Sequence, residues 1–562
     1  MKEFSQETRA LFAFLLALVV LLVWGKFYKP PAPPPRPPAG QTAPHPAPSA
    51  TQPVPATQSA GAPTVAVKTE SVEKTIVVES TFYRIELSNR GGVVRSWQLK
   101  KYKDDQKPPH TLDLVNAPAA QQLGGWPFSL ALQDPQLEVR ANAALYTITP
   151  SALALPAPAD VTFEWSDGHL AVTKRLKFAQ SYLIELEISV LLDGKPLPAA
   201  IAWRGGFGDT TVYQAAQQVG VFYATGGKLT LLPLKKLGVS DHPELRAAQA
   251  GPLDYAGIGD KFFTAAFLPN SPGMELWHWE LSREFTVDNK QEKEAVAEMA
   301  AGAETPGPFS VRVYVGPKAL EELSAQHPPL EELVQFGWLG IIAKPLLDVL
   351  RWIYRYVPNY GWAIVLLTLV INMALFPLKV KSWHSMKNMA KVAPEVEAIK
   401  QRYAKYSLTD PRKKKMNEET MELYKREGIN PMGGCLPTLL QFPIWFAFYR
   451  MLGTAIELRH AAWILWVYDL SARDPFYILT ILMTITMYLM TKMTPQTITD
   501  PAQQKMMALM PLMFGVMFFV FPVSCGLILY ILTQNIVGIG QQWYLNRTEP
   551  LPAKGKSGGK KR

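Results

Sequence analysis

EGINPMGGCLPTLLQFPIWFAFYRMLG, residues 427–453, reads first as a membrane helix, because no charge falls between Cys435 and Tyr449. The details resist that reading. The run opens on Asn430, Pro431, Gly433 and Gly434, carries Pro437 and Pro443, and holds Gln441 and Arg450 where lipid would favour leucine. Charged and amide groups are costly in hydrocarbon and turn toward protein or water. Prolines are tolerated in a spanning helix where neighbouring helices and water satisfy the carbonyls they free. This stretch therefore predicts a helix in a bilayer with one side that is not lipid. Arg450 allows two readings. It snorkels to the outer surface, or it points back into the membrane, since helical side chains tilt toward the N-terminus.

Four further apolar runs flank it, at 360–378, 475–493, 506–523 and 524–544, each near spanning length with its flanks. Together they predict a five-helix core at 358–545. A sixth run, the fourteen residues 11–24, suits either a signal-peptide core or an anchor. No small-x-small cleavage site follows it closely, which favours an anchor over residues 1–29. Polar residues recur inside the core. Thr368 and Asn372 stand four apart on one helical face, and Tyr530, Thr533, Gln534 and Asn535 cluster on the last run. A single polar residue per helix is usually glue between helices; recurrence on three spans predicts a hydrated cavity. Gln441 and Arg450 are nine residues apart, about half a turn out of phase unless Pro443 twists their helix. Nine methionines between 483 and 517 suit either adaptable packing or varied apolar partners.

Charge sets the orientation. The loop 379–430 holds 13 Lys/Arg against 7 Asp/Glu, the loop 455–474 holds two against three, and the tail 546–562 holds six against one. The first loop and the tail are thereby cytoplasmic, and counting back puts the N-terminus inside and the large middle region outside. The loop 379–430 reads as a basic helical hairpin. Pro394 kinks its first helix, Asp410 and Pro411 start the second, and Gly428 stops it. Such a hairpin is either a solvated surface or a docking surface.

Residues 30–65, rich in Pro, Ala, Thr, Ser and Gln, cannot bury a core and read as a linker. Residues 66–318 read as one all-β domain, a large sandwich. Within it "VTFEWSDGHLAVTKRLKF" shows two strand-like runs around an Asp-Gly pair, a hairpin signal. Across 336–357, Phe336, Leu339, Ile342, Leu346, Leu350, Ile353 and Val357 share helical spacing, opposite Lys344, Asp348, Arg351 and Arg355. That amphipathic helix lies in the membrane interface or packs on the β-domain.

The chain carries a net charge of +10, which suits anionic lipid or nucleic acid, and only two cysteines, Cys435 and Cys525. A disulfide framework and a cysteine zinc site are excluded. There is no Walker loop, HExxH or GxSxG, and "RGGFGDTT" lacks phosphate-loop spacing. No catalysis, cofactor or metal is expected.

Several motifs carry a resemblance. "NPMGGCLPTLLQFPIWFAFYRML", "LSARDPFYIL", "TDPAQQKMMALMPLMF" and the "FP…GLILY" turn resemble the YidC membrane protein insertases of Gram-negative-type bacteria, over residues 335–545. "SNRGGVVRSWQL" and "GIGDKFFTAAFLP" are more loosely similar to that family's periplasmic domain. The resemblance implies a multi-domain membrane protein with one anchor span, a periplasmic all-β supersandwich and an all-α five-span core. It implies insertion of nascent inner-membrane proteins, alone or beside the Sec translocon, through a hydrophilic groove and without nucleotide hydrolysis. Ribosome contact through the basic tail and the cytoplasmic loop follows from it, with membrane lipids as surroundings and no specific nucleic-acid sequence as partner. In that groove the family usually carries an arginine on the second span. The matching position here is Asn372, and Thr368 matches the polar neighbour. The groove residues so expected are Thr368, Asn372, Gln441, Arg450, Tyr530 and Thr533, with Arg450 supplying the displaced charge. Two other classes stay open. A solute transporter or channel would show an inverted repeat of spans, and a sugar-active β-domain would show clustered carboxylates and histidines; neither pattern is clear.

Overall fold

A computed structural model describes residues 65–211, 219–237, 247–249, 251–270, 273–287, 290–303, 305–406, 410–429, 436–494, 501–521 and 523–548. The expected anchor 1–29, nearly all of the linker 30–65 and the tail beyond Thr548 lie outside them. Two compact units emerge. A β-unit comprises Gly61–Leu347 and Ala447–Arg459, and a helical unit includes Asp348–Phe446 and His460–Arg562.

The β-unit holds three sheets, of ten, five and five strands. The largest runs from the edge strand Lys228–Pro233 to Thr147–Thr149. The hairpin expected around Asp167-Gly168 is there. Ala159–Ser166 pairs antiparallel with Leu170–Phe178, from Ala159 opposite Phe178 to Ser166 opposite Ala171. Every second residue of Leu170–Phe178 is buried, as period-two patterning demands of a strand with one face on a core. Aromatic rings join the sheets. Tyr83 meets Phe178 at 6.4 Å between ring centres, and Trp97 meets Trp203 at 6.2 Å. Such rings supply the largest buried areas a core can hold.

Two buried devices fix this unit. The "RGG" turn before Val93–Lys103 needs glycine, because Gly91 has φ +74° and a Cβ there would sit 2.5 Å from the Asn142 carbonyl. Lys174 holds that turn from below. Its Nζ donates to the carbonyls of Gly91 (2.6 Å), Gly92 (3.2 Å) and Phe128 (2.7 Å). The "RGGFGD" stretch carries Arg204, which pairs with Glu298 at 3.0 Å and Glu138 at 3.2 Å. Glu298 also accepts from the Gly205 amide and the Trp279 indole. The glycines of that stretch thus serve a buried ion network. Where the chain returns to this unit, Arg459 forms a buried pair with Asp209.

The helices from residue 340 onward are α1 (Gly340–Tyr356), α2 (Tyr360–Ala374), α3 (Phe376–Arg402), α4 (Arg412–Arg426), α5 (Leu436–Thr454), α6 (Ile478–Met493), α7 (Pro501–Val520) and α8 (Cys525–Thr548). The five apolar runs from residue 360 onward become helix over most of their described residues. The expected count of six spans is a different matter. No single described helix is long and apolar enough to cross a membrane, and α2 with α3 passes only as a pair bent by 53°. The reason is local. Leu375 breaks the pair ahead of Pro377, which has no N–H to give. At 16 residues α6 is about 24 Å long, short of a hydrocarbon core of about 30 Å.

α1 departs from the expected stripe. Phe336, Leu339, Ala343, Leu347, Leu350 and Ile353 are buried, while Ile342 and Leu346 are only partly so. The ends of the expected row hold, and only its middle moves by one residue, from Ile342 and Leu346 to Ala343 and Leu347. A second row, Trp338, Ile341, Trp352 and Tyr356, is exposed. The α3–α4 hairpin packs Val392, Val396 and Ile399 on Leu423. Asp410 accepts from the Arg412 amide, and Gly428 ends the hairpin at φ +62°.

Candidate functional site: a polar seam in the helical unit

α8 is the centre of the helical unit. All residues from Cys525 to Thr533 are buried, as expected of a helix apolar on every side. It packs on α6 and on α2, and α6 packs on α7. The contact of α6 with α7 is close, since a Cβ on Gly515 would sit 2.6 Å from the Thr484 hydroxyl. Asp474 caps α6 by accepting from the Leu479 amide at 2.7 Å.

The outward faces are apolar. Val370 and Met373 on α2, Ile485 and Leu489 on α6, and Leu512 and Val516 on α7 are exposed large hydrophobics. Soluble surfaces rarely carry patches of this extent. The inward faces hold polar groups. Thr368 is fully buried and donates to the Ile364 carbonyl at 2.7 Å. Asn372 is 3% exposed and donates to the Thr368 carbonyl at 2.9 Å. On α8, Thr533 and Asn535 are buried, and Asn535 reaches the Met483 carbonyl and the Thr486 hydroxyl, each at 3.4 Å. Further along α8, Gln541 donates to the Asn372 carbonyl at 3.2 Å and accepts from Lys379 at 2.8 Å. The seam therefore runs along α2, the start of α3, and α8.

Of the expected site residues, Thr368 and Asn372 are buried on α2, and Tyr530 and Thr533 are buried one turn apart on α8. Gln441 is half-buried near the start of α5. Arg450 falls in the part of α5 that belongs to the β-unit. There it is exposed and lines a cleft of about 410 Å³ with Lys261, Lys318, Asp260 and Thr454. Sequence reasoning missed Lys379 and Gln541. A signal existed for the first: Asn372 and Lys379 are seven apart, two turns along one face.

Comparison with known proteins decides the family. Residues 75–349 match the model described as "YidC periplasmic domain", and residues 352–552 match "60Kd inner membrane protein". A relative from Methylobacillus flagellatus, named membrane protein insertase YidC, is 32% identical over 99% of this chain and 100% of its own. The chain belongs to the YidC family. A second YidC, from Syntrophus aciditrophicus, is 33% identical over 96% of this chain and 99% of its own. The structure described as an active YidC insertase with its first transmembrane domain resolved covers 85% of this chain and 94% of its own at 19% identity, with a TM-score of 0.35. The two YidC models meet inside α1, close to where the two compact units divide. YidC relatives are named insertases, and insertases are not enzymes.

Proposed function

We propose that this chain inserts newly made proteins into the bacterial inner membrane and helps them fold. One observation carries the reading: the helical unit buries Thr368, Asn372, Thr533 and Asn535 among apolar side chains and beneath exposed aliphatic faces. Each unsatisfied polar group of an incoming segment costs several kcal/mol in hydrocarbon. A seam of amides and hydroxyls lowers that barrier by replacing water, while the apolar part of the segment partitions sideways into lipid. In this reading the groove is lined by Thr368, Asn372, Tyr530 and Thr533, with Gln441 reaching it from α5. The chain crosses the membrane six times, both termini and the α3–α4 hairpin are cytoplasmic, and the β-unit is periplasmic. The loop-charge asymmetry supports this orientation. The exposed row of α1, with Trp352 and Tyr356, and Trp338 in the turn before it suit the lipid headgroup layer. Nascent chains arrive from the ribosome, which the basic loop and tail meet, and some are handed over by the Sec translocon.

Cells depleted of their own insertase, carrying this chain, provide the test. Rescue of growth and of protease-protected insertion of a single-span reporter is expected. Failure of both, with the chain present in the membrane, would remove the reading. Leakage of a labelled solute from proteoliposomes of the purified chain would favour a channel instead.

A further inference from the structure

The cleft that Arg450 lines lies wholly within the β-unit. One side of it is apolar, with Val221, Leu231 and Leu333, and the other holds Lys261, Lys318 and Arg450 with a single acid, Asp260. Asp260 is spent on the backbone. Its Oδ2 accepts from the Asp209 amide at 2.9 Å, and its Oδ1 accepts from the Phe262 and Phe263 amides at 2.7 Å each. Lys318 is 6% exposed, and its Nζ donates to one carbonyl, that of Asp260, at 2.6 Å. The equally buried Lys174 donates to three. An ammonium has three N–H groups, so most of the donor capacity of Lys318 is open. Burial pushes its ammonium down to about 8, although Asp260 opposes this, as befits a charge short of partners. Gly259, also on the cleft, leaves room for the lysine stem, since an added Cβ would sit 3.3 Å from Lys318 Cε. Arg450 is exposed, and among the described residues its guanidinium has no partner. The acids beside Leu333 are engaged elsewhere: Glu331 pairs with Lys344, and Glu332 accepts from the Leu229 amide at 3.2 Å.

We propose that this cleft is an anion site that takes a phosphate group, held by the Arg450 guanidinium and the Lys318 ammonium with Lys261 beside them. Phosphate fits better than carboxylate, because several cations line one cleft and a guanidinium fork meets two phosphate oxygens at once. The phosphate comes either from the headgroup of an anionic phospholipid, whose glycerol and acyl part suits the apolar wall, or free from solution. The site goes beyond the insertase reading and does not depend on it.

Calorimetric titration of the full chain in detergent provides the test, with dihexanoyl phosphatidylglycerol, dihexanoyl phosphatidylcholine, inorganic phosphate and acetate as probes. Saturable binding of phosphatidylglycerol or of inorganic phosphate is expected, with phosphatidylcholine and acetate weaker. Tighter binding of the anionic lipid identifies the membrane as the source; binding of inorganic phosphate as tight or tighter identifies the solution. Arg450→Gln is expected to weaken the binding about tenfold, the loss of one charge-assisted hydrogen bond. Lys318→Met is expected to weaken it as well. Lys318 also braces the Asp260–Phe263 turn, its own amide donating to the Phe262 carbonyl at 2.7 Å. If Lys318→Met does not fold, Arg450→Gln, whose side chain has no partner to lose among the described residues, decides alone. The proposal is overturned if the wild type binds neither phosphate probe saturably. It is also overturned if acetate or phosphatidylcholine binds as tightly, or if Arg450→Gln leaves the affinity unchanged.

Discussion

At the scale of single residues, the buried charges of the β-unit lead to two predictions. Glu298 holds Arg204, the Gly205 amide and the Trp279 indole at once. Glu298→Ala leaves the buried Arg204 with Glu138 alone and the Gly205 amide and Trp279 indole without their acceptor, and removing one member of a buried pair costs about 3–5 kcal/mol. A lower thermal unfolding midpoint of the full chain in detergent is expected to show that loss. Lys174 yields a pH effect. Burial pushes its ammonium down to about 7, against a usual value of about 10.4 in an unfolded chain. Below about pH 7 both states hold the proton and the folded state carries the whole burial penalty. Between about 7 and the ordinary lysine range only the unfolded chain holds it, so stability rises with pH across that window. Unfolding midpoints from pH 6 to 9 are expected to climb in wild type, with a shallower slope in Lys174→Met. Neither role was legible beforehand, because each depends on partners tens of residues away in sequence. The same holds for Lys379, which counted only as one of thirteen loop cations until its contact with Gln541 placed it at the seam.

At the scale of elements, legibility followed periodicity. The strands Ala159–Ser166 and Leu170–Phe178 alternate cleanly and were read correctly. In α1 and the turn before it, the spacing finds Leu339, Leu350 and Ile353 but misses Ala343 and Leu347, which are buried beside the partly buried Ile342 and Leu346. The apolar runs from 360 onward became helices near the expected bounds, yet the break at Leu375 and the shortness of α6 were hidden within runs of uniform hydropathy. Helix contacts give a prediction here. Gly515 lies against Thr484, whereas Gly540 has nothing within 4 Å of an added Cβ. Gly515→Leu is expected to push α6 from α7 and to destabilise by about 1–3 kcal/mol, the usual cost of overpacking. Gly540→Ala is expected to stabilise by about 0.5–1 kcal/mol through helix propensity. Comparing the thermal midpoints of both variants with wild type in one detergent checks the pair.

At the scale of the whole molecule, the decisive feature is a helical unit that exposes large aliphatic faces while burying Thr368, Asn372, Thr533 and Asn535. The family was legible in the sequence because "NPMGGCLPTLLQFPIWFAFYRML" and its companions are specific, and the matches over 75–349 and 352–552 bear that out. The seam was legible only in part. Thr368, Asn372 and Thr533 announce themselves as polar residues in apolar runs, but the link from Asn372 through Gln541 to Lys379 is a product of packing between α2 and α8. The measurement that tests the central claim most directly is photo-crosslinking of a ribosome-stalled membrane protein to the full chain. A photoreactive residue is placed once at Thr533, inside the seam, and once at Val516, on the exposed face of α7. The account predicts that Thr533 captures the polar flank of the nascent segment and Val516 does not. Capture of that flank at Val516 with none at Thr533 would contradict it.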